Sequence, residues 1–131
     1  MSELFSSRIA NWLQIQDEKQ GDLYKVVFAE HHLGNIWIRS IHGGVSASSI
    51  ELCAEIETAK SVNEETEIVI SSSTIDYLRI TKDADLFARA AIVRQSRRLC
   101  VVDVICWQDN EDVPVVRGTV TLKLNQHISP G

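Results

Sequence analysis

The sequence predicts an α+β fold in which a curved antiparallel sheet wraps round one long central helix. Three observations support this: one predicted helix is apolar on nearly every side, four long strand-like segments follow it, and one or two shorter ones precede it. A helix without a polar face has to be buried, and hairpin-length connections favour antiparallel strand pairing. Wrapping the sheet round the helix is the economical way to bury it.

The first third of the chain contains one predicted helix and one or two predicted strands. Ser2 is a candidate N-cap, and apolar residues at helical spacing predict a helix within residues 1–17. These apolar residues are Phe5, Ile9, Trp12 and Leu13. Segment 23–28 alternates as a strand does, whereas 35–40 is short, apolar and fits either class.

The central helix is predicted to begin at Gly43-Gly44 and to end near Lys60. Its apolar residues are Val45, Ala47, Ile50, Leu52, Cys53, Ala54, Ile56 and Ala59. They spread round the helix and form no single stripe, which is why the helix is predicted to be buried.

The rest of the chain reads as four strands within a single domain that spans residues 1–131. The predicted strands are 67–79, 86–94, 99–107 and 113–124. The third is apolar on both faces, so it is predicted to be central and covered on both sides. Residues 125–131 are expected to form a loose tail.

Composition excludes several classes of function. A formal net charge of −5 argues against a nucleic-acid-binding protein. No apolar run approaches the length of a membrane span, and none follows Met1 as a secretory signal would, so a cytoplasmic protein without membrane contact is expected.

The cysteines and histidines suggest no metal site. Cys53, Cys100 and Cys106 are odd in number and lack metal-ligand spacing, so buried reduced thiols are expected. The adjacent His31 and His32 would point apart on a strand and are interpreted as surface residues.

The stretch IHGGVSASSIE, residues 41–51, carries the candidate chemistry. Backbone N–H groups of Gly43 and Gly44 at a helix start suit an oxygen that gains negative charge. Glu51 lies among small groups, where a carboxylate has to be paired, near water or functional. Eight residues separate Gly43 from Glu51, about 12 Å along a straight helix.

A purely structural interpretation of the same residues is also open. Gly43-Gly44 would then be only a tight turn into the helix. Glu51 would pair with one of three basic residues, which are Arg39, Arg97 and Arg98.

Four motifs together resemble the hotdog-fold acyl-CoA thioesterases of the phenylacetate-degradation (PaaI-like) type. They are LGN (33–35), HGGVSASSIE (42–51), DYLR (76–79) and RQSRR (94–98). The likeness covers residues 23–124 in family order. It implies the hotdog fold, hydrolysis of an acyl-CoA thioester and no cofactor.

The resemblance also implies roles for individual residues. Glu51 matches the acid that acts as general base on water or as nucleophile, and Gly43 matches the glycine whose N–H polarises the thioester carbonyl. Asn35 matches a residue that positions water or substrate, and His42 supports the loop. Gly44 belongs to the same binding loop.

Other matched positions concern substrate binding. Arg79, Arg97 and Arg98 lie where family members often meet the CoA phosphates, although each could be a solvated surface charge. Members commonly offer a Ser or Thr seven residues before the Tyr, across the dimer interface, and this chain has Ile70 there. Four hydroxyl residues follow and a neighbouring one is expected to serve; they are Ser71, Ser72, Ser73 and Thr74. Of these, Ser71 is predicted to bind substrate.

The resemblance further implies a homodimer or homotetramer with its sites at the subunit boundary. Two departures, Ile70 and Ser96 (often Gly in relatives), leave a second function open: an acyl-CoA binding module without turnover. A hotdog dehydratase fits less well, because the helix carries no His at the expected base position.

Overall fold

The computed structural model describes residues 8–18, 22–35 and 39–126. The helices are α1 (Arg8–Leu13) and α2 (Gly43–Lys60), and the strands are β1 (Ile15–Asp17), β2 (Leu23–Val26), β3 (Leu33–Asn35), β4 (Ser40–Ile41), β5 (Glu67–Tyr77), β6 (Leu86–Gln95), β7 (Leu99–Trp107) and β8 (Val116–Asn125). No helix among these residues is long and apolar enough to cross a membrane.

Six strands form one antiparallel sheet in the order β1-β2-β6-β7-β8-β5, and β3 and β4 form a separate hairpin. Helix α2 packs against β5, β6, β7 and β8. The predicted α+β arrangement is confirmed, and the predicted bounds of α2 match the structure. β5 forms one edge of the sheet.

The core lies between α2 and the inner face of the sheet. Ile50, Cys53 and Ile56 are fully buried on the helix and face buried valines and leucines of β7 and β8. All three cysteines are buried and unpaired, as predicted. β2, β8, most of β7 and the first half of β6 bury every second residue, which is the period expected of a sheet covered on one face. The edge strand β5 has no fully buried residue.

The N-terminal helix ends earlier than predicted. It ends at Leu13, because Gln14 adopts a φ of 60° and turns the chain into β1, which pairs with β2. Ser2 and Phe5 lie outside the described residues. At the other end, β8 includes Asn125, the first residue of the predicted tail.

Two further expectations need correction. His31 and His32 lie in a single helical turn before β3 and not on a strand; His31 is exposed as predicted, but His32 is fully buried. β7 is central as predicted, but within one chain the outer side chains Val101 and Ile105 are only half-buried. The described residues therefore cover the second face of β7 only in part.

Candidate active site

The first turn of α2 presents one backbone donor that no described residue accepts. His42 is the N-cap, and its Nδ1 accepts the Gly44 N–H at 2.9 Å. Among the described residues, nothing accepts the N–H of Gly43. Since the first N–H groups of a helix have no intrahelical partner, this donor is available to a ligand.

The β3–β4 hairpin holds His42 in place. Its backbone N–H donates to the carbonyl oxygen of His32 at 2.7 Å. A Cβ at Gly34 would lie 3.1 Å from the Cα of His42, so the two backbones approach closely. Asn35 pairs with Ser40 in this hairpin, and its predicted role in positioning water stays a prediction.

A cleft of about 420 Å³ opens beside Gly43. Its lining residues are Ser40, Ile41, Gly43, Ser46, Tyr77, Leu78, Arg79, Ile80 and Thr81. The Tyr77 hydroxyl donates to the carbonyl oxygen of Gly43 at 2.9 Å, joining the end of β5 to the start of α2. The Gly43 N–H, which has no acceptor among the described residues, therefore lies at a fixed place next to this cleft.

Glu51 is half-buried and is not held by a cation. Ser73 Oγ donates to its Oε1 at 2.9 Å, and no ion pair to Glu51 occurs among residues 8–18, 22–35 and 39–126. Arg39, one of the three alternative partners, instead bridges Glu30 and Asp83. The described structure therefore does not contain the structural pairing considered for Glu51.

A second carboxylate lies one helical turn from Glu51. Glu55 is also half-buried, and burial raises its pKa above the usual value, with the negative charge of Glu51 as a further cause. Residues four apart on a helix are neighbours, and like charges at this spacing repel. This face of α2 therefore carries two neighbouring carboxylates, neither of which forms an ion pair with another described residue.

The predicted phosphate-binding arginines lie at two separate places. Arg79 lines the Gly43 cleft and donates to the carbonyl oxygen of Pro114. Arg97 and Arg98 line a cleft of about 540 Å³ with Lys123, beside the end of α2 marked by the Gln95–Ser61 hydrogen bond. One chain does not bring these three arginines together.

The turn between β6 and β7 forms without glycine. Ser96 N–H donates to the carbonyl oxygen of Leu99 at 2.8 Å, and Ser96 has no positive φ. A serine is therefore compatible with this reversal. The departure from the family pattern at Ser96 does not disturb the fold.

The hydroxyl that contacts Glu51 belongs to Ser73, one of the four candidates, and not to Ser71. Ser71 is the extra residue at a register shift between Ile70 and Ser72. The substrate-binding role assigned to Ser71 stays a prediction. No group of three or more potential metal ligands occurs in the described part of the chain.

Solved structures share this architecture along nearly the whole chain. A thioesterase from Haemophilus influenzae matches with a TM-score of 0.83 at 18% identity, covering 95% of this chain and 87% of that one. A phenylacetic acid degradation-related protein from Ralstonia eutropha matches at 0.76 and 19%, covering 88% of each chain. A Bacillus halodurans protein solved with CoA matches at 0.80 and 19%, covering 95% and 80%. The fold is the hotdog fold.

The sequence profile of the thioesterase superfamily matches residues 39–115, more than half of the chain. This protein belongs to the thioesterase superfamily. No curated protein is similar enough in sequence to be matched. Family membership supports a thioester hydrolase role.

Proposed function

We propose that this protein hydrolyses an acyl-CoA thioester to the free acid and CoA. Glu51 acts as general base on water or as nucleophile, and the Gly43 N–H stabilises the oxyanion that forms on the carbonyl. The observation that carries the proposal is the state of these two groups. In the described part of the chain, Glu51 is half-buried without a cation, and the Gly43 N–H has no acceptor and lies beside a cleft.

The two groups come from different subunits in this proposal. Within one chain they are about 12 Å apart along α2, too far to act on one carbonyl. A two-fold axis that sets two α2 helices antiparallel near Ala47 and Ser48 would place Glu51 opposite Gly43 of the partner subunit. Both small residues are half-buried, and the adjacent edge strand β5 is open for pairing.

The same two-fold arrangement would allow Arg97 and Arg98 to bind the CoA phosphates. The cleft with Arg97 and Arg98 lies at the C-terminal end of α2, beyond Glu51 on the same chain. An extended CoA arm would run from Glu51 towards this cleft, where planar guanidinium groups suit phosphates. The CoA in the Bacillus halodurans structure of the same fold supports this choice of substrate. A cytoplasmic location stays a prediction.

The competing function is an acyl-CoA binding module without turnover. Its support in the sequence is two departures from the family pattern: Ser96 in the β6–β7 turn, and Ile70, which stands where relatives offer a hydroxyl. Ser73, hydrogen-bonded to Glu51, supplies a hydroxyl at a nearby position. This contact favours the enzyme over the module.

Thiol release from short, long and aryl acyl-CoAs by wild type and Glu51→Gln tests the proposal. We expect the substitution to lower kcat by about 10²–10⁴-fold, as for loss of a general base, while calorimetry shows retained binding of the CoA ester. Glu55→Gln is the matched control, one turn along the same helix, and should stay within about twofold of wild type. A wild type that binds CoA esters but releases no thiol would establish the binding module instead.

A further inference from the structure

The serine that contacts Glu51 reaches it through an irregularity in β5. Ile70 pairs with Leu122 and Ser72 pairs with Thr121, so Ser71 is the additional residue of a β-bulge. After the bulge, Ser73 lies opposite Val120, which is fully buried on the inner face of the sheet. Cross-strand partners share a face, so the bulge directs Ser73 towards α2.

The neighbours of Ser73 lie on the other face. Ser72 and Thr74 pair with Thr121 and Thr119 and stand on the outer side, where Thr74 lines a separate cleft. Of this run of four hydroxyl residues, only Ser73 has a hydrogen bond to Glu51 in the described structure. The contact is therefore specific to one position.

Glu51 needs such a donor. Its one hydrogen-bond donor among the described residues is Ser73, and it shares its helix face with the carboxylate of Glu55. A glutamate side chain has several rotatable bonds, and repulsion from Glu55 favours other rotamers of Glu51. The hydroxyl of Ser73 fixes Oε1 and leaves Oε2 for water or the thioester carbonyl.

We infer that Ser73 is a positioning residue that holds the Glu51 carboxylate in its reactive orientation. This inference rests on the proposed function, since it assumes that Glu51 performs the chemistry. This role differs from the substrate-binding role predicted for Ser71, because Ser73 contacts the acid of its own subunit. A catalytic carboxylate gains much of its rate from correct placement, and small displacements are costly.

Steady-state kinetics of Ser73→Ala test the assignment. We expect kcat to fall about tenfold with KM unchanged, because orientation of the carboxylate affects the reaction and not the binding of CoA. Ser73→Thr keeps the hydroxyl and should recover most of the rate. Ser72→Ala, an exposed serine on the opposite face, is the matched control and should match wild type.

A double-mutant comparison tests whether Ser73 acts through Glu51 or affects the rate independently of it. In Glu51→Asp the side chain is one methylene shorter, so its carboxylate no longer reaches the hydroxyl of Ser73. Adding Ser73→Ala to this variant should therefore not lower kcat any further. An additional tenfold loss in that background would overturn the inference. A wild-type kcat in Ser73→Ala would also overturn the inference. If Glu51→Gln at the same time loses most of its activity, the proposed function still holds. Full activity in Glu51→Gln would instead overturn both.

Discussion

The phenolic hydroxyl of Tyr77 donates to the carbonyl oxygen of Gly43 at 2.9 Å, across 34 residues of sequence. This bond links the last residue of β5 to the first residue of α2. The carbonyl of Gly43 is held by Tyr77, and its N–H faces no acceptor among the described residues. The edge strand thus fixes the position of the proposed oxyanion donor.

Removing the Tyr77 hydroxyl should loosen this link. Tyr77→Phe keeps the ring against Gly43 and deletes one hydrogen bond at an exposed site, so we expect a loss of about 0.5–1 kcal/mol in the free energy of unfolding. The rate should fall about threefold at unchanged KM. Urea unfolding at fixed protein concentration and thiol-release kinetics measure both, and a changed KM with unchanged kcat would contradict the role of Tyr77.

The Gly43 N–H can be removed without disturbing the helix. Proline is favoured at the first position of a helix, and His42, with φ −57° and ψ 135°, already has the backbone conformation that precedes proline. Gly43→Pro should therefore fold and lose about 10²–10³-fold in kcat.

Gly43→Ala is the matched control for the proline variant. It keeps the N–H, and its Cβ would make only ordinary contacts of 3.4–3.5 Å with Tyr77. Activity within about threefold of wild type is expected. Equal losses in the alanine and proline variants would show that the N–H is not the important group.

Mixing two inactive variants tests whether each site is shared between subunits. A heterodimer of Glu51→Gln and Gly43→Pro contains one intact site if Glu51 works with Gly43 of the partner subunit. Co-refolding equal amounts should then restore about a quarter of wild-type activity, because half of the dimers are mixed and each has one of two sites. No recovery, or a monomer in ultracentrifugation, would contradict the shared site.

Burial of His32 predicts a pH-dependent stability. Its Nδ1 accepts the Ala29 N–H and its Nε2 donates to the carbonyl oxygen of Trp12, so the neutral ring is fully bonded. Burial lowers the pKa of His32 below 6.5, and the nearby His31 acts in the same direction. The unfolded chain thus binds a proton at a higher pH than the folded one, and the free energy of unfolding should fall as pH drops below 6.5.

Denaturant unfolding between pH 7.5 and about 5.5 measures this dependence. His32→Gln cannot titrate and should show a flatter profile. His31→Gln alters the exposed neighbour and should keep most of the wild-type slope. An unchanged slope in His32→Gln would show that another group causes the dependence.

Gly118 permits close packing between β8 and α2. A Cβ there would lie 2.9 Å from Ile50 Cγ2 and from Ile75 Cδ1. We expect Gly118→Ala to cost about 1–3 kcal/mol in the free energy of unfolding through overpacking. Adding Ile75→Val, which removes Cδ1, should recover part of that loss, and an additive double mutant would contradict the contact.

Much of the fold could be predicted because its pattern is local. The all-round apolar character of α2 indicates burial, and the glycine pair marks where it begins. β1 was missed, since three residues are too few for an alternating pattern and the positive φ of Gln14 leaves no clear signal in sequence.

The candidate site was predictable only in part. Gly43, His42 and Glu51 belong to one continuous segment, so their relation along the helix follows from its geometry. Ser71, Ser72 and Ser73 are identical, and a run of one residue type contains no information on which face each occupies. The separation of Arg79 from Arg97 and Arg98 depends on sheet topology, which local spacing does not reveal.

The bulge at Ser71 also affects how homologous chains can differ in length. Ser71 has no counterpart across the ladder, so a chain lacking it would have an uninterrupted strand with Ile70 and Ser73 on their present sides. A single-residue deletion at that point would preserve both the hydrophobic interior and the contact with the acid. If such a chain is aligned with this one by counting back from Tyr77, the positions before Ser71 will be offset by one residue. The three-dimensional arrangement of the two chains would nevertheless be the same.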